Sequence, residues 1–380
     1  MIELSWMPVT GAGLEGIVAT ESRLCFIDGD AGLLSYQGFR IETLAEHATF
    51  EETVYLLWHG RLPKQAELDD LKAALVANRA IPSEVEAFLK SNPKALPMHV
   101  LRTAVSMLAL SDPDANNVQA EPAAKKAVKL MAQTATIVTS FDRLRKGQPV
   151  VAGDPKLGFA ANFLYTLTGN APDDVMAHAF DIALILHAEH ELNASTFAAR
   201  VTAATLSDIY SAVTAAIGAL RGPLHGGANE DAIKLLLPLE TPEQGVEVVK
   251  KMLADKKKIP AFGHRVYHTT DPRAASLKGL AGALAKSTGH EKLFEISKAV
   301  EGYVKEAKNL NANVDFYSAS TYYSLGIPVD LFTPIFAVSR MSGWTAHILE
   351  QYANNRLIRP RAEYLGPAVG QKWVEIAARS

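Results

Sequence analysis

A histidine flanked by glycines is the first feature of the sequence that could do chemistry. The segment Arg221-Gly-Pro-Leu-His225-Gly-Gly-Ala-Asn229 places His225 just before a predicted helix. Glycines on both sides let a ligand approach the backbone closely, and the start of a helix favours negative charge. The alternative is a loop histidine without a function, although such glycine flanking is unusual by chance. We therefore expect a ligand near His225.

A second histidine lies in a basic segment. His264 belongs to Ala261-Phe-Gly-His-Arg-Val-Tyr-His-Thr-Thr-Asp-Pro-Arg273, and Lys256-Lys-Lys258 precedes it. Arginine binds carboxylates through two hydrogen bonds, and lysine serves as a point charge for phosphate. The lysine run taken alone favours a solvated basic face, but the whole segment suits ligands that carry phosphates and carboxylates.

Two further clusters leave alternatives open. In His187-Ala-Glu-His-Glu-Leu-Asn193, His187 and His190 are three apart on one face of a predicted buried helix. A metal pair is conceivable, but the spacing is not that of zinc proteases, so hydrogen-bonded core histidines are an equal alternative. Asp315, in Asn313-Val-Asp-Phe-Tyr317, is either a helix N-cap or a functional carboxylate in a dry site. The residues alone favour the cap.

Helices must position these residues, because the apolar pattern is helical almost throughout. The one convincing hairpin pairs Arg23–Ile27 with Leu33–Tyr36 around a turn at Asp28-Gly29. Prolines, glycines and apolar spacing then predict helices over residues 50–58, 64–79, 82–91, 96–110, 121–146, 172–192, 196–221 and 334–353.

Breaks in the helical pattern predict two domains. They fall at Gly222-Pro223 and Gly326-Ile-Pro328 and divide the chain into a large domain, residues 1–221 and 329–380, and a small inserted domain, residues 222–328. The alanine-rich segments 172–192 and 196–221 are apolar nearly all round, which suits the core or a subunit interface. No glycine-rich strand-to-helix fingerprint appears, so neither Rossmann nor P-loop chemistry is indicated.

Composition excludes several classes of protein. The 380 residues have a net charge of -3, which gives no reason to expect nucleic acid or an anionic membrane as partner. The single cysteine, Cys25, fits a reducing compartment. Met1–Gly16 does not have the pattern of a signal peptide, and no stretch approaches the ~20 apolar residues of a membrane span. We expect a soluble cytoplasmic protein.

In their order and spacing, the four clusters resemble the citrate synthase family. The most specific matches are Gly263–Tyr267 with Asp271–Arg273, then Leu224–Asn229 and Asn313–Tyr317. The similarity extends over nearly the whole chain, through Gly13-Leu-Glu-Gly16, Ile27-Asp-Gly29, Phe50-Glu-Glu52, Gly60-Arg-Leu-Pro63, Arg102-Thr-Ala-Val105, Ala161-Asn-Phe-Leu-Tyr165 and Asn355-Arg-Leu-Ile-Arg-Pro360.

This resemblance implies a fold and a reaction. The fold is all-α, with a large helical domain, a smaller inserted one and a short N-terminal hairpin. The reaction joins acetyl-CoA to oxaloacetate and water and gives citrate and CoA; the CoA thioester is a substrate, and no cofactor or metal is implied. Asp315 would remove the methyl proton, His225 would donate to the thioester oxygen, and His264 would polarise and protonate the oxaloacetate carbonyl.

The resemblance also implies the binding residues. Oxaloacetate would be held by His190, Arg273, Arg340 and Arg359, the last from the other subunit of a homodimer with shared active sites. Closure of the small domain over oxaloacetate would exclude water, with hinges at Gly222, Pro223, Gly326 and Pro328. The residues implied for CoA are Lys258, Ile259, Pro260, Ala261, Phe262 and Gly263, with Lys256, Arg265 and Tyr267 as further candidates.

Three positions depart from the family pattern. His268 stands where relatives commonly have lysine or arginine, and Ala261 and Ala319 replace usual glycines. Ala319, with Ser320–Ser324, resembles the 2-methylcitrate synthases, which accept propionyl-CoA. One methylene separates the two acyl groups, so a pocket can discriminate by only ~1–3 kcal/mol. The chain lacks the N-terminal extension of the NADH-inhibited hexameric enzymes, so a dimer without NADH control is expected.

Three alternatives to citrate synthesis stay open. One is a 2-methylcitrate synthase or an enzyme of dual specificity. Another is a metallohydrolase built on His187 and His190. The third is a non-catalytic helical binding protein that kept the fold, against which the intact set of His225, His264 and Asp315 argues.

Overall fold

A three-stranded antiparallel sheet and sixteen α-helices make up the part of the chain that this computed structural model describes, residues 12–14 and 16–379. The mainly helical architecture confirms the predicted fold class. Most of Met1–Gly16, where the sequence predicts no signal peptide, lies outside the described residues.

The predicted hairpin is present and gains a third strand. Strands β1 (Cys25–Asp28), β2 (Leu33–Tyr36) and β3 (Phe39–Arg40) pair in that order. Oδ1 of Asp28 accepts hydrogen bonds from the Asp30 and Ala31 N–H groups at 3.0 and 2.9 Å, which fixes the turn between β1 and β2. The two-residue β3 is too short to be recognised from the sequence.

Five of the first seven helices match predictions from the sequence, whereas those over residues 41–47 and 159–168 were not predicted. Helix α2, for example, begins at a capping box formed by Thr49 and Glu52 and ends at Gly60, whose φ is 72°. The seven are α1 (Ile41–His47), α2 (Phe50–His59), α3 (Gln65–Ala77), α4 (Ser83–Ser91), α5 (Pro97–Leu108), α6 (Ala120–Arg145) and α7 (Phe159–Thr168).

The two alanine-rich segments are shorter helices than predicted. The first, α8 (Asp174–His187), ends before His190, which lies in a turn. The prediction over 172–192 was wrong beyond His187, because Glu191 has a φ of 50°, which no α-helix allows, and Asn193 then caps the next helix by accepting the Thr196 N–H. The segment 196–221 is likewise divided into α9 (Ala194–Ala203) and α10 (Ile209–Leu220), the second capped by Asp208.

The next five helices lie in the predicted small domain, and the last helix lies in the predicted large domain. Helix α13 packs on α15, and α12 packs on α14. The predicted domain boundaries fall in the loops before α11 and before α16, and the division itself stays a prediction. The helices are α11 (Ala228–Leu236), α12 (Pro242–Ala254), α13 (Pro272–Thr288), α14 (Glu291–Lys308), α15 (Val314–Ser324) and α16 (Phe332–Ala353).

Helix α16 is the centre of the core. Every residue from Phe332 to Ile348 is buried, and the helix contacts α2, α6, α9 and α10. A helix buried on all sides is expected to be apolar throughout. Polar residues such as Ser339 and Thr345 are tolerated there because their hydroxyls donate to backbone carbonyls. The turn that carries His190 rests on α16 at Gly343, where an added Cβ would overlap the Ala188 carbonyl oxygen and the Glu189 carboxylate.

A buried polar network joins the same turn to the end of α16. Nε2 of His347 lies 3.0 Å from Oε1 of Glu189, and Arg200 contacts Nδ1 of His347 at 3.0 Å. Arg200 also forms an ion pair with Glu350. Because an unpaired charge is costly in the interior, this network fixes the turn in one position against α16.

Gly343→Ala should destabilise the fold, since its Cβ has no room between α16 and the turn. We expect the free energy of unfolding to fall by roughly 1–3 kcal/mol. Gly279→Ala, in the exposed face of α13, is the matched control and should raise it by about 0.5–1 kcal/mol. Urea denaturation measures both variants. Equal effects of the two substitutions would contradict the packing argument.

Candidate active site

His190 and Tyr267 form the first contact of the candidate site. In the turn after α8, Nε2 of His190 lies 3.1 Å from the Tyr267 hydroxyl. Burial lowers the pKa of His190 well below its usual value, and the positive charge of Arg273 lowers it further. His190 is therefore a neutral hydrogen-bonding group at physiological pH.

His264 lies beside this pair, with its ring centre 5.3 Å from that of His190. Its Nδ1 accepts hydrogen bonds from the Val266 and Tyr267 N–H groups at 3.0 and 3.2 Å. Burial, followed by the charge of Arg273, lowers the pKa of His264 to about 4. A neutral ring with Nδ1 as acceptor has its proton on Nε2. His264 can thus donate one hydrogen bond to a ligand.

Backbone pairing joins the His264 loop to the start of α15. Gly263 N–H donates to the Asn311 carbonyl at 2.9 Å, and Asn313 N–H donates to the Ala261 carbonyl at 3.0 Å. The Asn313 side chain adds a bond from Nδ2 to the Gly263 carbonyl at 2.9 Å. Ala261 has a φ of 61°, so the usual glycine is replaced at a position with a left-handed backbone.

Asp315 lies in the first turn of α15, next to this pairing. The prediction that Asp315 caps the helix was wrong, because Oδ1 of Asn313 is the cap and accepts the Asp315 N–H at 3.0 Å. Oδ1 of Asp315 is buried and has no hydrogen-bond partner among the residues described. Burial raises the pKa of Asp315 to about 6, against the opposing charge of Arg273. The carboxylate is therefore more basic than an ordinary aspartate, with Oδ1 shielded from solvent although the residue as a whole is partly exposed.

His225 approaches the site from the turn between α10 and α11. The Gly226 N–H donates to the Leu220 carbonyl at 3.0 Å, and a Cβ at Gly226 would lie 2.9 Å from Cδ1 of Leu220. Nε2 of His225 lies 2.8 Å from the Ser195 hydroxyl and accepts the Ser195 N–H at 3.3 Å. Burial lowers the pKa of His225 to about 4, and Arg340 lowers it further. The proton of this neutral ring is thus on Nδ1.

Two buried arginines supply positive charge. Asp271 accepts hydrogen bonds from Nε and Nη2 of Arg273 at 2.9 and 2.8 Å. Arg340 donates from Nε to the His187 carbonyl at 2.7 Å, and its guanidinium lies 4.8 Å from the centre of the Phe336 ring. Buried guanidinium groups that are only partly neutralised favour an anionic ligand.

Some predicted residues lie elsewhere. Arg359 is exposed in the segment after α16 and is not brought to the other site residues. His187 donates from Nδ1 toward the Ala183 carbonyl at 2.8 Å, while His190 faces Tyr267. Over residues 12–14 and 16–379, no group of three or more His, Cys, Asp or Glu side chains is arranged to hold a metal ion.

The residues predicted for CoA separate into two groups. Lys256, Lys258 and Arg265 are exposed, whereas Ile259 and Ala261 are buried. Pro260, Phe262 and Gly263 lie between them and are partly exposed. Tyr267 is buried with the histidines rather than with the basic residues. Nδ1 of His268 lies 2.7 Å from Oδ1 of Asp30, which gives this departure from the family pattern a local partner.

Sequence reasoning missed Ser195 and Asp271. Ser195 follows the helix-capping Asn193 and has the pattern of an ordinary first-turn residue. Asp271 precedes Pro272 and has the pattern of an N-cap, which it also is. Only the fold shows that Ser195 contacts His225 and that Asp271 contacts Arg273.

The sequence matches a known protein family over most of its length. Residues 13–361 match the family model for the citrate synthase C-terminal domain. The chain belongs to the citrate synthase family. It is 53% identical to citrate synthase 2 of Bacillus subtilis (strain 168), covering 97% of this chain and 99% of the relative. It is also 42% identical to 2-methylcitrate synthase of Shewanella oneidensis over 98% of both chains.

Solved structures agree with the family assignment. Citrate synthase from Thermoplasma acidophilum, solved in a ternary complex with carboxymethyl coenzyme A and oxaloacetate, is 35% identical and superimposes with a TM-score of 0.91, covering 97% of this chain and 98% of that one. The citrate synthase family member described here is therefore a transferase. None of the helices within the described ranges is long and apolar enough to cross a membrane.

Asp315→Asn should stabilise this citrate synthase family member at neutral pH. The raised pKa of Asp315 means that its ionised form destabilises the folded state above about pH 6, and this cost disappears as pH falls toward the unfolded value near 4. Removing the charge should therefore add on the order of 1–3 kcal/mol at pH 7.5 and progressively less toward pH 5. Urea denaturation at several pH values measures the difference.

Asp112→Asn is the control, for which we expect the opposite change in the free energy of unfolding. Burial alone would raise the pKa of Asp112, but hydrogen bonds from the Tyr210 hydroxyl and the Asp114 N–H outweigh it and lower the pKa. Its loss should destabilise the protein at neutral pH. A destabilising effect of Asp315→Asn at pH 7.5 would contradict the assignment of Asp315 as an unpartnered buried carboxylate.

Proposed function

We propose that the protein is a citrate synthase that condenses acetyl-CoA with oxaloacetate and water to give citrate and CoA. The observation that carries this proposal is the buried, unpartnered Oδ1 of Asp315, whose pKa is raised by burial against the charges of Arg273 and Arg340. Burial and one or both of the same arginines lower the pKa values of the neutral His190, His225 and His264. A weak carbon acid requires a strong base in a dry site, a donor for the developing oxyanion, and an electrophile held in place.

Asp315 is the base in this proposal. A pKa of about 6 leaves the carboxylate ionised at pH 7.5 but more basic than an ordinary aspartate. Its free Oδ1 can take the methyl proton of acetyl-CoA without first breaking a hydrogen bond. A placed base of this kind contributes about 10²–10⁴-fold to the rate.

The two neutral histidines are the acids. His225 holds its Nδ1 proton because Ser195 N–H donates to Nε2, and it would donate to the thioester oxygen as the enol or enolate forms. His264 holds its Nε2 proton because two N–H groups donate to Nδ1, and it would polarise and protonate the oxaloacetate carbonyl. Water then hydrolyses the citryl thioester.

Oxaloacetate would bind between the buried arginines. Arg273 keeps Nη1 free of Asp271, and Arg340 uses only Nε for the His187 carbonyl. These groups and His190 face a dianion whose burial requires fixed positive partners. The exposed Lys256, Lys258 and Arg265 suit the phosphates of CoA, and the Thermoplasma relative, which binds a CoA analogue and oxaloacetate, supports this pairing of ligands.

The fourth carboxylate-binding group would come from a second copy. Residues 354–379 are almost entirely exposed, and their apolar side chains include Leu365, Val369 and Trp373, each more than three-quarters exposed. A second subunit would cover them and bring Arg359 to the partner's site. We therefore propose a homodimer in which each active site is shared, with residues 222–328 closing over bound oxaloacetate.

Thiol release tests the reaction and its acyl donor. We expect free CoA to appear when acetyl-CoA and oxaloacetate are both present, with a kcat/KM above that for propionyl-CoA by no more than roughly 10–200-fold, since one methylene separates the donors. A higher kcat/KM for propionyl-CoA would make the protein a 2-methylcitrate synthase, which the buried Ala319 and the Shewanella relative keep as the second candidate. No release with either donor would refute catalysis.

Two substitutions separate chemistry from binding. Asp315→Ala should lower kcat by about 10²–10⁴-fold and leave oxaloacetate binding largely intact, because it removes the base alone. Arg340→Ala should weaken oxaloacetate binding by roughly 30-fold or more, because it removes a buried charge partner. Calorimetric titration with oxaloacetate and steady-state rates measure the two effects. The reverse pattern would overturn the assigned roles.

A further inference from the structure

The turn between β1 and β2 lies against the His264 loop. Gly29 accepts the His268 N–H through its carbonyl at 3.0 Å. A Cβ added at Gly32 would lie 2.8 Å from Cγ2 of Thr269. The proposed chemistry gives this turn no role, although it belongs to a distant part of the chain and touches the loop that carries a catalytic histidine.

Gly29 is required by this contact and not by the turn. Its φ lies outside the left-handed region, so other residues could adopt the same backbone. A Cβ there would overlap the carbonyl oxygen of Val266 and lie 2.9 Å from its carbonyl carbon. Gly32, by contrast, has a φ of 64° and would be strained by a side chain in any surroundings.

The peptide that touches Gly29 also holds His264. The Val266 carbonyl and the Tyr267 N–H belong to one planar peptide group. That N–H donates to Nδ1 of His264 at 3.2 Å. A side chain at position 29 would push the carbonyl away and, because the group is rigid, would turn the N–H away from the histidine.

We propose that Gly29 is a positioning residue for His264. The absence of a side chain at Gly29 lets the turn support the Val266–Tyr267 peptide. The N–H of this peptide is one of the two, with that of Val266, that keep the proton of His264 on Nε2, toward the substrate. The inference rests on the proposed function of His264 in the reaction. It assigns to the hairpin a part in catalysis that it performs through the backbone.

The side chains of His268 and Asp30, which meet at the same contact, contribute little to its stability. His268 and Asp30 form a pair in which both side chains are mostly exposed, and exposed pairs of this kind are weak because solvent screens them. Asp30→Ala removes the pair without placing an atom against Val266. It is therefore the matched control for Gly29→Ala in the same turn.

The experiment compares Gly29→Ala, Asp30→Ala, His264→Ala and the double variant Gly29→Ala/His264→Ala. In the wild-type background Gly29→Ala should lower kcat for thiol release by roughly 10-fold or more, since small misplacements of a catalytic group have large effects. Asp30→Ala should change kcat by less than about 3-fold. On His264→Ala, the added Gly29→Ala should change the residual rate by less than about 2-fold, because both act through one group.

A merely structural role would lower the rate by the same factor in both backgrounds, and that result would overturn the proposal. So would a Gly29→Ala protein as active as Asp30→Ala, or one that does not fold, since the fold would then be what requires the glycine. Wild-type protein that releases no thiol would instead refute the proposed function.

A second readout does not depend on activity. In protein with ¹⁵N-labelled histidine, the ring of His264 can be identified among the eleven histidines by its absence from His264→Ala. Wild type should show the Nε2–H form, and Gly29→Ala should show a mixture of both neutral forms. An unchanged proton position in Gly29→Ala would overturn the inference.

Discussion

The candidate site depends on the hydrogen bonds that the carboxylate of Asp271 accepts. This carboxylate accepts the Arg273 N–H at 3.0 Å, two guanidinium bonds from the same arginine, and the Val314 N–H at 3.1 Å. One buried group thereby starts α13, fixes an arginine and holds the first turn of α15, where Asp315 lies. Burial alone would raise its pKa, but the charge and hydrogen bonds of Arg273 keep it low. An ionised Asp271 is what allows Arg273 to be buried at all.

Burial, and after it the charge of the arginines, sets the protonation state of the other groups. Burial and nearby positive charge both disfavour the protonated form of a histidine, and for this reason His190, His225 and His264 are neutral. The same charge opposes the effect of burial on Asp315, whose pKa is raised only moderately. The surroundings thus separate the proposed acids from the proposed base: neutral histidines that hold a proton, and a carboxylate with a raised pKa and a free oxygen.

The sequence indicated candidate residues for the site, but it could not indicate the partners that surround them. Local signals such as Gly60 at the end of α2 and the Asp28-Gly29 turn predicted element type, because they depend on neighbours in the chain. Asp315 was misjudged as a cap because Asn313 and Asp315 have equal capping propensity, and only the fold shows which side chain turns back. Gly29 has an ordinary turn pattern in the sequence, since its constraint comes from Val266, more than two hundred residues away.

Ser195 is another residue whose contacts could not be predicted from the sequence. Its N–H donates to Nε2 of His225 and so favours the proton on Nδ1, while its hydroxyl donates to Oδ1 of Asn193 at 2.7 Å and accepts the Trp344 N–H at 3.1 Å. Three elements therefore meet at one small side chain that no spacing rule selects. By contrast, Oδ1 of Asp315 accepts no hydrogen bond from any described residue. Among the described residues Oε2 of Glu189 and Nε2 of His187 are also buried without a partner, but only at Asp315 does the unpaired carboxylate oxygen coincide with a pKa raised by burial to about 6. An unpaired buried oxygen costs stability, and such costs are tolerated where a group has to stay available to a ligand.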